Sequence, residues 1–91
     1  MGHTKSNKDH LLARVRRISG QMAAIEKAIG HEAGCSAILH QVAGVRGAIG
    51  GLMDEVIEDH VREHVARADL DNKARAAGAE ELIAVVRRYA K

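Results

Sequence analysis

Residues 36–67 read SAILHQVAGVRGAIGGLMDEVIEDHVREHVAR, and this stretch decides the fold. Its apolar positions, Ile38, Leu39, Val42, Val45, Ile49, Leu52, Met53, Val56, Ile57 and Val61, recur at spacings of three and four with no proline among them. That is the pattern of an amphipathic helix. At about 1.5 Å per residue such a helix is roughly 48 Å long, whereas a compact chain of this size has a radius of gyration of about 12 Å. It is too long to be covered by its own protomer. Gly44, Gly47, Gly50 and Gly51 lie inside it, each costing up to about 1 kcal/mol relative to alanine. They imply either that a second helix backbone approaches closely or that the helix breaks at Gly50 and Gly51, and the unbroken helix is the expectation.

Toward the N-terminus, Leu11, Leu12, Val15, Ile18, Met22, Ile25 and Ile29 repeat the same spacing. They predict a first helix capped by Thr4 or Ser6 and ending near Gly30, placed where a left-handed residue is expected. His31 to Gly34 then read as a short connection, with Cys35 and Ser36 opening the long helix. Toward the C-terminus, Asp69, Asp71 and Asn72 mark a turn, and Leu82, Ile83, Val85, Val86 and Tyr89 give the apolar side of a short third helix. The expected architecture is an all-α, three-helix protomer with a long central helix, forming one domain over residues 1–91. Because one helix outruns its protomer, it is expected to pack against its symmetry mate in an oligomeric bundle.

Composition excludes several functions. The 91 residues contain no Pro, Trp or Phe, and Tyr89 is the only aromatic, so the stacking platforms that bind single strands or RNA loops are nearly excluded. One domain of this size leaves no room for a separate catalytic one, and no Ser/His/Asp set or phosphate-binding glycine loop is present, so no enzyme is expected. The acidic run of Asp54, Glu55, Glu58, Asp59 and Glu63 reads as a solvated helix face. No apolar run reaches 18 residues and no signal pattern is visible, so neither membrane spanning nor secretion is expected. Cys35 is the sole cysteine, which suits a reducing cytoplasm.

Lys plus Arg number 14 against 12 Asp plus Glu, a net charge of +2. The distribution says more than the total. Residues 5–17 hold Lys5, Lys8, Arg14, Arg16 and Arg17 against Asp9 alone. Arg14 and Arg17 are three apart and share a helical face, which suits contact with a phosphate backbone. The same cluster also fits an ordinary solvated face, and no zinc-finger, basic-zipper or convincing helix-turn-helix pattern accompanies it.

His60 and His64 are four apart, so on a helix their imidazoles lie one turn from each other and can reach one ion. They continue the stripe Ile49, Met53 and Val56. Six histidines in 91 residues make such a pair unremarkable by itself. A lone cysteine like Cys35 is ordinarily a small buried hydrophobe, and His3 alone reads as part of a tail.

The constellation is more specific than its parts. Arg14-Val15-Arg16-Arg17-Ile18 with Gly20-Gln21, the turn ending in Cys35, Ile38-Leu39-His40-Gln41-Val42-Ala43-Gly44-Val45-Arg46-Gly47-Ala48, and Gly51-Leu52-Met53 together resemble the CsoR/RcnR/FrmR family of small bacterial repressors. The likeness spans essentially the whole chain. Members differ at four sensing positions, occupied here by His3, Cys35, His60 and His64, a set similar to the nickel/cobalt branch typified by RcnR and DmeR. The resemblance implies a dimer of antiparallel helices assembling into a disc-shaped tetramer, which binds double-stranded operator DNA without a helix-turn-helix and releases it when the effector binds. It also implies that Cys35 joins the histidine pair of the neighbouring protomer, and that Arg14, Arg17 and Arg46 contact DNA, with Lys8 and Arg16 beside them.

Gly50 and His40 depart from the residues common at their positions. Neither touches the sensing set, although His40 adds a second, weaker candidate locus. Coordination chemistry points the same way as the resemblance. Copper(I) prefers two thiolates and is disfavoured by a single cysteine. Imidazoles, one thiolate and the amine of Gly2, exposed once Met1 is removed, suit Ni(II) or Co(II), while Zn(II) also fits such ligands. The alternative is a formaldehyde-responsive repressor of the FrmR type, using Cys35 and the N-terminal amine. Against it, residue 2 is Gly rather than Pro. A metal buffer or helical interaction module without DNA binding is a third class, distinguished by the absence of salt-dependent binding to duplex DNA.

Overall fold

The computed structural model describes residues 5–89, with side chains from residue 7 onward. Three helices account for most of them: α1 spans Lys5–Gly30, α2 spans Cys35–His64 and α3 spans Asn72–Tyr89, with no strand among the described residues. The all-α, three-helix expectation holds, and α2 runs unbroken through Gly44, Gly47, Gly50 and Gly51. Thr4 lies outside the described residues, and Ser6 falls inside α1 rather than capping it.

The chain forms two compact units, one of Lys5–Met53 and one that includes residues 54–89. In the first, α1 folds back along the leading part of α2. The less exposed positions follow alternating spacings of three and four, through Leu11, Arg14, Ile18, Gln21, Ile25 and Ala28 on α1 and Ile38, Gln41, Val45, Ala48 and Leu52 on α2. This is the spacing of an interhelical seam. Its apolar content is thin: among the described residues only Ile25 and Val45 are buried hydrophobics, 8% and 5% exposed. Gln21 and Gln41 each bury a side-chain oxygen with no hydrogen-bond partner among the described residues. A second stripe, displaced by one residue, stays uncovered, with Leu12, Val15, Met22 and Ile29 on α1 and Leu39, Val42, Ile49 and Val56 on α2 all exposed.

The turn between α1 and α2 corrects one expectation. Gly30 does not take the left-handed conformation; Glu32 does, with φ of 58°. The Ala33 amide donates to the Ala28 carbonyl at 2.9 Å and the Glu32 amide to Ile29 at 3.0 Å, which is the double bond of a Schellman cap. Because the His31 amide still bonds the Lys27 carbonyl at 3.0 Å, the helical ladder passes Gly30 before the chain turns. The Gly34 carbonyl then accepts the Ile38 amide at 3.2 Å, starting α2.

In the second unit α2 ends at His64, three residues before the expected Arg67. The amides of Val65 and Ala66 both donate to the Val61 carbonyl, at 3.0 and 2.7 Å. Arg75 of α3 donates to the carbonyls of Val65, Arg67 (3.3 Å) and Leu70 (3.0 Å), all in the turn beyond α2. Its guanidinium fork ties that turn together. Asp71 caps α3, its Oδ1 accepting the Ala74 amide at 2.7 Å. Within this turn Arg67 hydrogen-bonds Asp69 and holds its carboxyl below the ordinary aspartate range.

A non-glycine residue in the left-handed region costs roughly 1–2 kcal/mol, more than the roughly 0.5–1 kcal/mol of extra chain entropy that a glycine loses on folding. Glu32→Gly should therefore raise the midpoint of thermal unfolding at fixed protein concentration, and an unchanged or lower midpoint would contradict this account of the turn.

Candidate metal centre and basic residues

His60 and His64 occupy the final turns of α2, where the spacing of four stacks one imidazole above the other. Their ring centroids are 4.9 Å apart with planes tilted by 43°. With metal–nitrogen bonds of about 2.1 Å, an ion sits about 3.2 Å from each centroid, so rings sharing it lie about 4.5 Å apart at a right angle and about 5.2 Å apart at a tetrahedral angle. The centroid spacing falls between these values. A cation here also faces the negative end of the α2 dipole.

His60 is half-buried and His64 exposed. The Nε2–H of His60 donates to the Gly78 carbonyl of α3 at 2.8 Å. In the neutral ring this leaves the lone pair on Nδ1. His60 also lines a cavity of about 190 Å³, together with Val56, Ile57, Glu81, Leu82 and Val85. Of the acids on the same turns, Glu58 pairs with Arg62 and Glu63 with Arg67 at 3.4 Å.

Gly78 is buried. A Cβ built on it would collide with the His64 carbonyl oxygen and lie 2.9 Å from the His64 Cβ. The sequence reading does not single out Gly78, although a lone glycine within Ala76-Ala77-Gly78-Ala79 is the usual signal of close packing in a helix.

Two ligands do not complete a site, and among the described residues no group of three or more His, Cys, Asp or Glu side chains is arranged to hold an ion. Cys35 is exposed at the first residue of α2, not buried as a small hydrophobe. Gly2 and His3 lie outside the described residues. Of the basic candidates, Lys8, Arg16, Arg17 and Arg46 are exposed. Arg46 stands within the uncovered α2 stripe, between Val42 and Ile49. Arg14 is half-buried and turned into the seam, where its Nη1 lies 2.9 Å from the position a Cβ on Gly51 would take. That contact accounts for one glycine of α2. Around Gly44, Gly47 and Gly50 the space is open.

The family model described as "Metal-sensitive transcriptional repressor" matches residues 7–88. The chain belongs to that family of non-enzymatic transcriptional regulators. It is 50% identical over 91 residues, the full length of both chains, to a Serratia marcescens protein described as an uncharacterized protein in the bioA 5′ region. It is 38% identical, again over the full length of both, to the transcriptional repressor RcnR of Citrobacter koseri. Among solved structures it matches a glutamate-to-histidine variant of the formaldehyde-responsive regulator FrmR from Salmonella enterica serovar Typhimurium, with a TM-score of 0.89, 40% identity and coverage of 96% of this chain and 98% of that one.

The two packed glycines predict opposite responses. A methyl group at Gly51 meets only the end of a flexible arginine, so Gly51→Ala should keep most of the roughly 1 kcal/mol gain in helix propensity and raise the unfolding midpoint. Gly78→Ala meets backbone and should lower it. Thermal denaturation of both variants checks the pair, and a loss of stability in Gly51→Ala would contradict this reading of Arg14.

Proposed function

We propose that this chain is a cytoplasmic repressor that binds operator DNA in its metal-free form and releases it on binding Ni(II) or Co(II), derepressing a metal efflux gene. The observation that carries this reading is the His60–His64 pair, spaced at 4.9 Å as two ligands of one ion. Cys35 opens α2 and His60 lies in its closing turns, and the resemblance to the repressor family implies that these ligands meet across two protomers. The proposed site therefore joins the Gly2 amine, His3 and Cys35 of one protomer to His60 and His64 of another, and the uncovered apolar stripe of α1 and α2 is the surface on which copies pair into dimers and then a tetramer. When bound, the ion supplies fixed links between the N-terminal segment and the end of α2, while the protein's own part is to hold the imidazoles at that spacing. Similarity to RcnR supports this branch.

The second reading is response to formaldehyde. The exposed Cys35 thiol and the likeness to a formaldehyde-responsive regulator favour it.

Duplex DNA is the proposed partner, with the exposed Lys8, Arg16 and Arg17 meeting its phosphates; Arg14, turned into the seam, and Arg46, within the stripe proposed for pairing, are further basic candidates that this arrangement does not present to it. Arg17→Ala and Arg16→Ala should each weaken operator binding and reduce the slope of log affinity against log salt by about one ion per lost contact. Equal slopes in wild type and both variants would remove these residues from the interface.

Separate addition of Ni(II), Co(II), Zn(II), Cu(I) and formaldehyde to the protein–operator complex tests the effector. Release by nickel or cobalt is expected, and release by formaldehyde alone would establish the second reading. His60→Ala and Cys35→Ala should weaken metal binding itself. His3→Ala should keep much of the affinity yet lose most of the release, because His3 precedes the basic helix and links the ion to it. For Co(II), the near-ultraviolet sulfur-to-metal band should vanish in Cys35→Ala.

A further inference from the structure

We propose that Gly78 is a positioning residue of the sensing site: its carbonyl takes the Nε2 proton of His60 and presents Nδ1 as the metal donor, and its missing side chain is what allows that contact. The proposal rests on the reading of His60 and His64 as ligands.

A carbonyl oxygen accepts and never donates, so the 2.8 Å contact from His60 Nε2 to Gly78 assigns the proton to Nε2. A metal takes the nitrogen that lacks a proton, which is then Nδ1. The Gly78 carbonyl has two lone pairs and can serve the imidazole without giving up its bond within α3. A ligating histidine held by its other nitrogen against a backbone carbonyl has a fixed ring and tautomer and a more basic donor atom.

The second half of the proposal comes from the other face of the same residue. Gly78 is buried, and a Cβ there would run into the His64 carbonyl oxygen and carbon, the latter at 2.8 Å. Both atoms are backbone and cannot swing aside. Any larger residue at 78 moves α3 off the end of α2, lengthening the bond to His60. One residue of α3 thus touches both members of the pair, through its carbonyl at His60 and through its bare Cα at His64. His64, exposed and without that bond, adapts to the ion that the fixed His60 receives.

The first experiment needs neither metal nor DNA. Nitrogen-15 correlation spectra of the metal-free wild-type protein, above the pH at which its histidines are neutral, should show His60 as the Nε2–H tautomer. A His60 that is predominantly Nδ1–H, or averaged between tautomers, overturns the proposal. In the second, Zn(II) serves as a diamagnetic probe and should shift Nδ1 of His60 while Nε2 keeps its proton; a coordinated Nε2 overturns it. Gly78→Ala should lower Zn(II) and Co(II) affinity by about 10- to 100-fold, the usual effect of losing an outer-shell partner, and return His60 to a tautomer mixture. A folded Gly78→Ala protein with wild-type tautomer and affinity overturns it as well. Should that variant not fold, the wild-type spectra decide alone. If metal fails to release DNA while His60 is still Nε2–H and bound through Nδ1, the repressor reading falls and the positioning role stands.

Discussion

A helix of 30 residues interrupted by four glycines is a poor helix on its own, and each glycine weakens it by up to about 1 kcal/mol relative to alanine. Its continuity has to come from what lies against it. α1 covers the leading part and α3 the trailing part, yet the buried apolar side chains number only two among the described residues. Neither covering helix explains Gly44, Gly47 or Gly50, whose surroundings are open. The exposed stripe of Leu39, Val42, Ile49 and Val56 is accounted for if a second α2 lies along that face, as in the proposed assembly, with Gly50 at its margin; Gly44 and Gly47 fall on other sides of the helix.

Where the sequence speaks clearly, it does so through periodicity. The long proline-free run from Ile38 to Val61 defines α2, and the i, i+4 spacing of His60 and His64 defines their juxtaposition, because both follow from 3.6 residues per turn. Helix ends are less legible, since they depend on partners remote in sequence. Gly30 is the residue best suited to a left-handed cap, yet the turn places Glu32 there. α2 stops at His64, and the turn that follows is held by Arg75, ten residues beyond Val65, through bonds to carbonyls that no local spacing pattern reveals.

The site shows the same division. Lys8, Arg16, Arg17 and Arg46 are exposed, as charged residues on a helix ordinarily are. The shared-face argument for Arg14 and Arg17 says nothing about which side of α1 meets α2, and that is where Arg14 is turned. Its approach to Gly51 is visible only once the two helices are paired. Gly78 is harder still. A glycine among alanines signals that something is close, but only the structure shows that the neighbour is His64 and that the adjacent carbonyl belongs to His60.

In the proposed mechanism the placement of the ligands matters more than their number. Allosteric coupling is a free energy shared between two equilibria, typically 1–3 kcal/mol, and a metal that weakens DNA binding must be bound more weakly by the DNA complex to the same extent. Such coupling needs a ligand whose position differs between the two states. His60 is fixed by its bond to Gly78, so it can hold an ion but has little freedom to report one. His3 immediately precedes α1, the helix that carries Lys8, Arg16 and Arg17. A link from the fixed end of α2 to the start of α1 therefore restrains the element that meets phosphate, and rigidity at one end of the bridge is what delivers the constraint at the other.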